Sequence, residues 1–162
     1  MYERMRSSNK LYRYDIWKEN LINFKEELMS KVAGLEGIDE THGEKLHGMG
    51  ITTVDALLEK GASPAGRKAI ADETGMSHAF VLRLVNQADL FRIKGIGKEY
   101  ADLLEASGVD TVPELAQRRA DNLHAKMAEI NAEKNLVKRL PPESEVQDWI
   151  TQAKSLPKVV TY

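Results

Sequence analysis

Two glycines around one isoleucine, with a lysine on either side, are the residues in this sequence best arranged to do chemistry. In Arg92-Ile93-Lys94-Gly95-Ile96-Gly97-Lys98 one helix is expected to end near Arg92 and another to begin near Gly97. Glycine permits the positive φ of so tight a reversal and lets a foreign backbone approach closely. The first amides of the new helix have no intrahelical partner and lie at the positive end of its dipole, an arrangement that favours an anionic oxygen. Lys94 and Lys98 flank that spot, Arg92 stands close by in sequence, and Ile96 is expected to pin the turn to the core. The chemistry is non-covalent: capture of a phosphate by residues 94–98 with Arg92 behind them. The bland alternative is a tight turn whose lysines only keep it soluble.

The elements that would position this string are written twice. Leu35-Glu36-Gly37-Ile38, Leu46, Gly50-Ile51-Thr52-Thr53-Val54 and Leu57 return 58 positions later as Ile93-Lys94-Gly95-Ile96, Leu104, Gly108-Val109-Asp110-Thr111-Val112 and Leu115. A repeat of that length is a repeated supersecondary unit. Val81, Leu84, Val85, Gln87 and Ala88 return as Val146, Trp149, Ile150, Gln152 and Ala153, now 65 positions later. Seven extra residues therefore lie between Leu115 and Val146. They amount to roughly two helical turns and are expected to lengthen the third helix of the second copy. The first copy departs where the second is suited to phosphate. Glu36, Asp39 and Glu40 stand in place of Lys94, Gly97 and Lys98, so the first copy is expected to be structural or a protein-contact surface.

Nearly all of the chain reads as helix, and no segment sustains the period-2 alternation of a strand. A first helix over about 14–32 carries Trp17, Leu21, Phe24 and Leu28 on one face. Tyr12-Arg13-Tyr14 and Trp17-Lys18 interleave aromatics with positive charge there; core packing or a homodimer contact is favoured over base stacking. Ser63-Pro64 starts a helix that Gly75 stops, and Ser77 starts the next. Thr111 to Glu114 reads as a capping box. A long helix is expected over 121–138, Pro141-Pro142 breaks it, and a last helix over 143–156 leads to a frayed tail ending at Tyr162.

Composition bounds the rest. At 162 residues, 42% hydrophobic and 30% charged, there is apolar material for a core. No cysteine is present, which removes disulfides and thiolate chemistry and fits a reducing compartment. No apolar run approaches the ~20 residues that span a bilayer, and no secretory signal is seen, so the expectation is cytoplasmic with no membrane partner. The net charge of −2 divides into +2 over residues 1–33, −4 over 34–90 and zero over 91–162. Bulk charge therefore does not drive nucleic-acid binding; any phosphate contact must be local. His42 and His47 are spaced five apart, off the four-residue spacing of a helical zinc pair, and His78 and His124 stand alone, so no metal ligand is expected. No catalytic constellation and no cofactor motif is found, so the chain is expected not to be an enzyme.

Flanking helices, downstream leucines and a second copy at fixed spacing make the glycine string resemble the helix-hairpin-helix pattern, which grips DNA or RNA backbones without reading sequence. A longer set of residues carries a second resemblance. Gly37, Glu59-Lys60-Gly61-Ala62, Gly66-Arg67-Lys68 and the 92–97 string belong to it, with the run from Leu104 to Leu115, Asn122-Leu123-His124-Ala125-Lys126, Trp149 and the ending from Leu156 to Tyr162. In these the stretch from about Met29 onward resembles the bacterial family known as domain of unknown function 4332. The resemblance implies a helix-hairpin-helix fold and supplies no established activity.

The expectation is thus an all-α protein of two tandem helix-hairpin-helix units from an internal duplication that share a core, with an extra N-terminal helix. Its divisions are 1–33, 34–91 (acidic, degenerate) and 92–162 (intact hairpin). The expected function is sequence-independent binding of a DNA or structured RNA backbone through the second hairpin. The rival is a protein-interaction or oligomerisation scaffold in which both hairpins are purely structural.

Overall fold

The computed structural model describes residues 37–162 together with Lys18, Glu19, Val32 and Leu35. The helix expected over about 14–32 falls outside the described residues but for three of its positions. Eight helices make up the described chain: α1 Glu40–Gly48, α2 Val54–Gly61, α3 Pro64–Thr74, α4 His78–Leu90, α5 Lys98–Ala106, α6 Val112–Ala116, α7 Ala120–Lys134 and α8 Glu143–Ser155. The fold is all-α.

Local chemistry sets most helix starts. Thr53, Ser63 and Ser77 each turn a hydroxyl back to accept from the third amide ahead, at 3.1 Å in every case. Pro64 occupies the first turn of α3, where a missing N–H costs nothing, and Gly75 ends that helix in the left-handed conformation.

The two halves place their elements at constant displacements. α1 and α5 match at both ends 58 positions apart, α2 and α6 start 58 apart, and α4 and α8 are both 13 residues long and lie 65 apart. The turn after the first helix of each half closes alike, with Ile51 N donating to Leu46 O and Val109 N to Leu104 O, each at 2.9 Å. A cation caps that turn in both halves: Lys60 Nζ on Met49 O and Arg118 Nη2 on Ser107 O, again at 2.9 Å. Buried apolar residues form two clusters, not the single shared core expected. One runs from Val32 to Ala88 with Val160 added; the other runs from Leu90 to Ala153, and half-buried Phe91 packs against both.

Four local expectations are corrected. The helix expected over 121–138 stops at Lys134, because Asn135 takes the left-handed conformation at φ 50°. Lys138 therefore leaves the helix and sits with Arg139 in a linker. The seven extra residues are a net of four more in α7 than in α3, five more in the linker after it and one more in the loop before it, less three because α6 is shorter than α2. The capping box also fails. Thr111 gives no side-chain cap, and Glu114 Oε2 accepts from Asp110 N at 2.8 Å. The wholly buried Asp89 accepts from Val112 N instead, at 2.8 Å, reaching across from α4.

Nor is the C-terminal tail frayed. Thr161 N donates to Ala62 O at 2.8 Å, and Val160 is buried in the first half's cluster. Arg67 fixes the arrangement. Its guanidinium is buried, donates to Gly61 O and Ala62 O at 2.9 Å and to Thr161 O at 2.6 Å, and lies 5.7 Å from the Tyr162 ring centroid. The tail that follows α8 thus straps the second half to the first. No helix among the described residues is long and apolar enough to cross a membrane.

Candidate nucleic-acid interface

The turn over 93–97 is built from below. Ile93 and Ile96 are buried, and Ile96 N donates to Ile93 O at 3.2 Å, so the two apolar residues anchor the loop. Gly95 stands between them at φ +98°, exposed on its outer side. On its inner side Trp149 fills the space: a methyl group on Gly95 would lie 2.9 Å from the indole Nε1. Only glycine meets both demands without strain. Gln152, one turn further along α8, fixes the loop's flank. Its Oε1 accepts from Lys94 N at 3.0 Å and its Nε2 donates to Lys94 O at 3.2 Å, so the carboxamide holds that peptide from both sides.

Beyond the turn, α5 begins on Gly97, an extended N-cap at φ −97° with no side chain to offer, and no side chain among the described residues caps the helix. Gly95 and Gly97 amides have no hydrogen-bond partner among the described residues. Lys94 is exposed, Gly97 and Lys98 are half-buried, and Glu99 is exposed. Arg92 is engaged elsewhere. One terminal nitrogen binds Asp89 Oδ1 and the other binds Pro157 O, at 2.8 and 2.9 Å, which turns its charge inward and away from the loop. Of the sequence-derived residues, the turn therefore brings Lys94, Gly95, Gly97 and Lys98 together at the surface over a buried Ile96, and Arg92 stands apart from them.

The equivalent turn in the first half closes on a matching bond, Ile38 N to Leu35 O at 3.4 Å, and has a different end. Gly37 is left-handed at φ +84° and packs on Phe80, whose ring a methyl group would meet at 2.8 Å. Its helix, however, starts on Asp39, whose Oδ1 accepts from His42 N at 2.7 Å and lies 3.2 Å from His42 Nδ1. A carboxylate occupies the position an anion would take.

Sequence reasoning left the roles of two contributors, Gln152 and Tyr100, unassigned. Gln152 was matched to Gln87 in the repeat, and that identity was the available signal. Gln87 uses its amide to bridge the halves, donating to Asp102 Oδ1 at 2.8 Å, while Gln152 holds the hairpin. Tyr100 packs against Trp149 with ring centroids 5.2 Å apart and donates its hydroxyl to Arg139 O at 3.1 Å, bringing the α7–α8 linker beside the first turn of α5. No local pattern announces that contact.

A shallow cleft of about 180 Å³ opens between α4 and α5. Its charges are largely self-paired, with Arg83 forked onto Glu105 at 3.1 and 3.2 Å. Burial, and then the carboxylates of Glu114 and Glu105, push the Asp110 carboxyl in its wall above the usual range. No histidine lines it.

With the fold and this turn in view, the chain belongs to the family described as a domain of unknown function (DUF4332), whose model matches residues 36–156. The match takes in both turns and all eight helices except for the strap that follows. No curated protein and no solved structure matches the chain.

Proposed function

We propose that the turn over 94–98 binds the phosphodiester backbone of a nucleic acid, duplex DNA in the first instance, without reading its sequence. In this reading each half is a helix-hairpin-helix unit, the two descend from one duplicated ancestor, and only the second keeps its ligand chemistry. The carrying observation is the start of α5: an extended glycine N-cap with no side-chain cap, beside an exposed lysine, where the first half places a capping carboxylate. Phosphate oxygens accept from the amides near Gly95 and Gly97, while Lys94 and Lys98 act as point charges. No base-reading side chain projects from the turn, since Ile96 and Trp149 are buried.

The net charge of −2 makes the interaction local. Two phosphate contacts correspond to a slope of about −2 for log affinity against log salt, and to non-specific dissociation constants of about 10⁻⁴–10⁻⁶ M. A labelled duplex titrated at low salt tests the reading. Wild type should bind with salt sensitivity, and Lys94→Glu/Lys98→Glu should weaken binding at least tenfold. A wild type with no salt-sensitive binding, or a double reversal that changes nothing, rejects it.

A further inference from the structure

We infer that the α7–α8 linker, through Lys138 and Arg139, is a second arm of the same backbone-binding face, so that the protein engages about four phosphates. The inference rests on the hairpin reading and extends it to residues that no feature of the repeat suggests. In the first half the corresponding linker is three residues, Gly75 to Ser77, with no cation in it. The eight-residue linker of the second half is an addition peculiar to the half whose helix starts on a glycine N-cap.

The linker is held rigidly and in the right place. Asn131 Nδ2 donates to Val137 O at 3.1 Å and its Oδ1 accepts from Val137 N at 2.9 Å, so one side chain clamps the linker's peptide from both faces. Val137 and Pro141 are buried, which fixes the linker before and after the two cations. Tyr100 then ties Arg139 O to the first turn of α5 at 3.1 Å. Since Tyr100 also packs on Trp149, and Trp149 underlies Gly95, hairpin and linker share one support.

Both cations face solvent. Lys138 is exposed, and the Arg139 side chain is 70% exposed. Arg139 meets Glu145 at 3.4 Å, an exposed contact of the kind that contributes little and that a phosphate can replace. Glu99 lies in the first turn of α5 and Glu143 and Glu145 in the first turn of α8, against Lys94, Lys98, Lys138 and Arg139. Four cations carried on two joined segments suit a continuous phosphodiester backbone better than an isolated phosphate group.

The test is the salt dependence of duplex binding, measured by fluorescence anisotropy. Four proteins are compared: wild type, Lys94→Glu/Lys98→Glu, Lys138→Glu/Arg139→Glu, and a control reversal, Lys68→Glu/Lys126→Glu, with the same change in net charge. Four contacts give a slope of about −3.6, which is about a 150-fold loss of affinity between 50 and 200 mM salt; two contacts give about −1.8 and about a 12-fold loss. Wild type is expected near the steeper value, and the linker reversal near the shallower one. The control should stay close to wild type. A neutral Lys138→Ala/Arg139→Ala variant with an unchanged melting temperature should also lose slope, which separates lost contacts from lost folding. If the linker variants bind as wild type does while Lys94→Glu/Lys98→Glu is weakened, the linker has no part and the hairpin reading alone survives. If the control falls as far as the linker reversal, the inference is equally overturned. A wild type without salt-sensitive binding removes both.

Discussion

The turns that carry Gly37 and Gly95 share a closing hydrogen bond, Ile38 N to Leu35 O and Ile96 N to Ile93 O, and lead into helices that begin differently. Each carries a left-handed glycine against a large aromatic, Gly37 on Phe80 and Gly95 on Trp149. Each is followed by a nine-residue helix that closes with matching hydrogen bonds. They part at one position. Asp39 satisfies its own helix start with a carboxylate, whereas Gly97 leaves the α5 start without a side-chain cap. A reversal of this kind is specified by buried residues and glycines, while on the proposed reading its capacity for an anion would be set by the N-cap and the charges beside it. On the proposed reading, the first half keeps the geometry without the chemistry.

Five substitutions separate the two properties. The largest effect is expected at the shared glycines. Gly95→Ala forces an L-residue to φ +98° and a methyl group onto Trp149, and should cost about 2–3 kcal/mol of stability in denaturant unfolding. Gly37→Ala should cost a similar amount, since Phe80 stands as close. A small effect at either would show that the backbone is not held as described.

Next comes Gly97→Asp, which copies the first half's cap into the second. The φ of −97° accepts any residue. Duplex affinity should fall about tenfold, roughly 1.4 kcal/mol, while the melting temperature holds or rises. Retained affinity would contradict the proposed anion site. The converse, Asp39→Ala, should lower stability by about 1 kcal/mol, where Gly97→Ala loses no cap. Equal losses at both positions would erase the distinction.

The smallest effect concerns the cleft between the halves. The folded Asp110 carboxyl titrates above its ordinary range because of burial and the nearby Glu114 and Glu105. A raised acid binds its proton more tightly when folded, so its contribution is present at low pH and is lost as pH rises through the folded pKa. Asp110→Asn should therefore stabilise the protein near neutrality by a few tenths of a kcal/mol, given partial exposure, and the gain should vanish below the ordinary aspartate range. A gain independent of pH would mean that the charge is not its source.

Much of this was legible where structure is decided locally. Thr53, Ser63 and Ser77 declare helix starts because their partners lie three residues ahead, and Gly75 declares a stop because of its own φ. The repeat placed Gly95 and Gly97 in a turn, and buried Trp149 through its match to Leu84. What escaped depends on partners far along the chain. Asp89 caps α6 from 23 residues away, and Arg67 binds a tail carbonyl 94 residues on. Arg92 read as a phosphate ligand because its neighbours are basic, but a buried carboxylate three residues earlier claims it. Asn135 ends α7 before the Pro-Pro pair that seemed the natural stop, because asparagine tolerates the left-handed conformation nearly as readily as glycine does. That one misplaced boundary hid the linker that carries Lys138 and Arg139.

The most direct measurement is of the amides themselves. In a ¹H–¹⁵N correlation spectrum recorded while a short duplex is added at low salt, the account predicts that Gly95, Gly97 and Glu99 amides shift most, reversibly with salt. The corresponding amides of Gly37, Asp39 and Thr41 should stay still. Stationary resonances over residues 95–100, or shifts centred on the Asp39-capped turn, would contradict it.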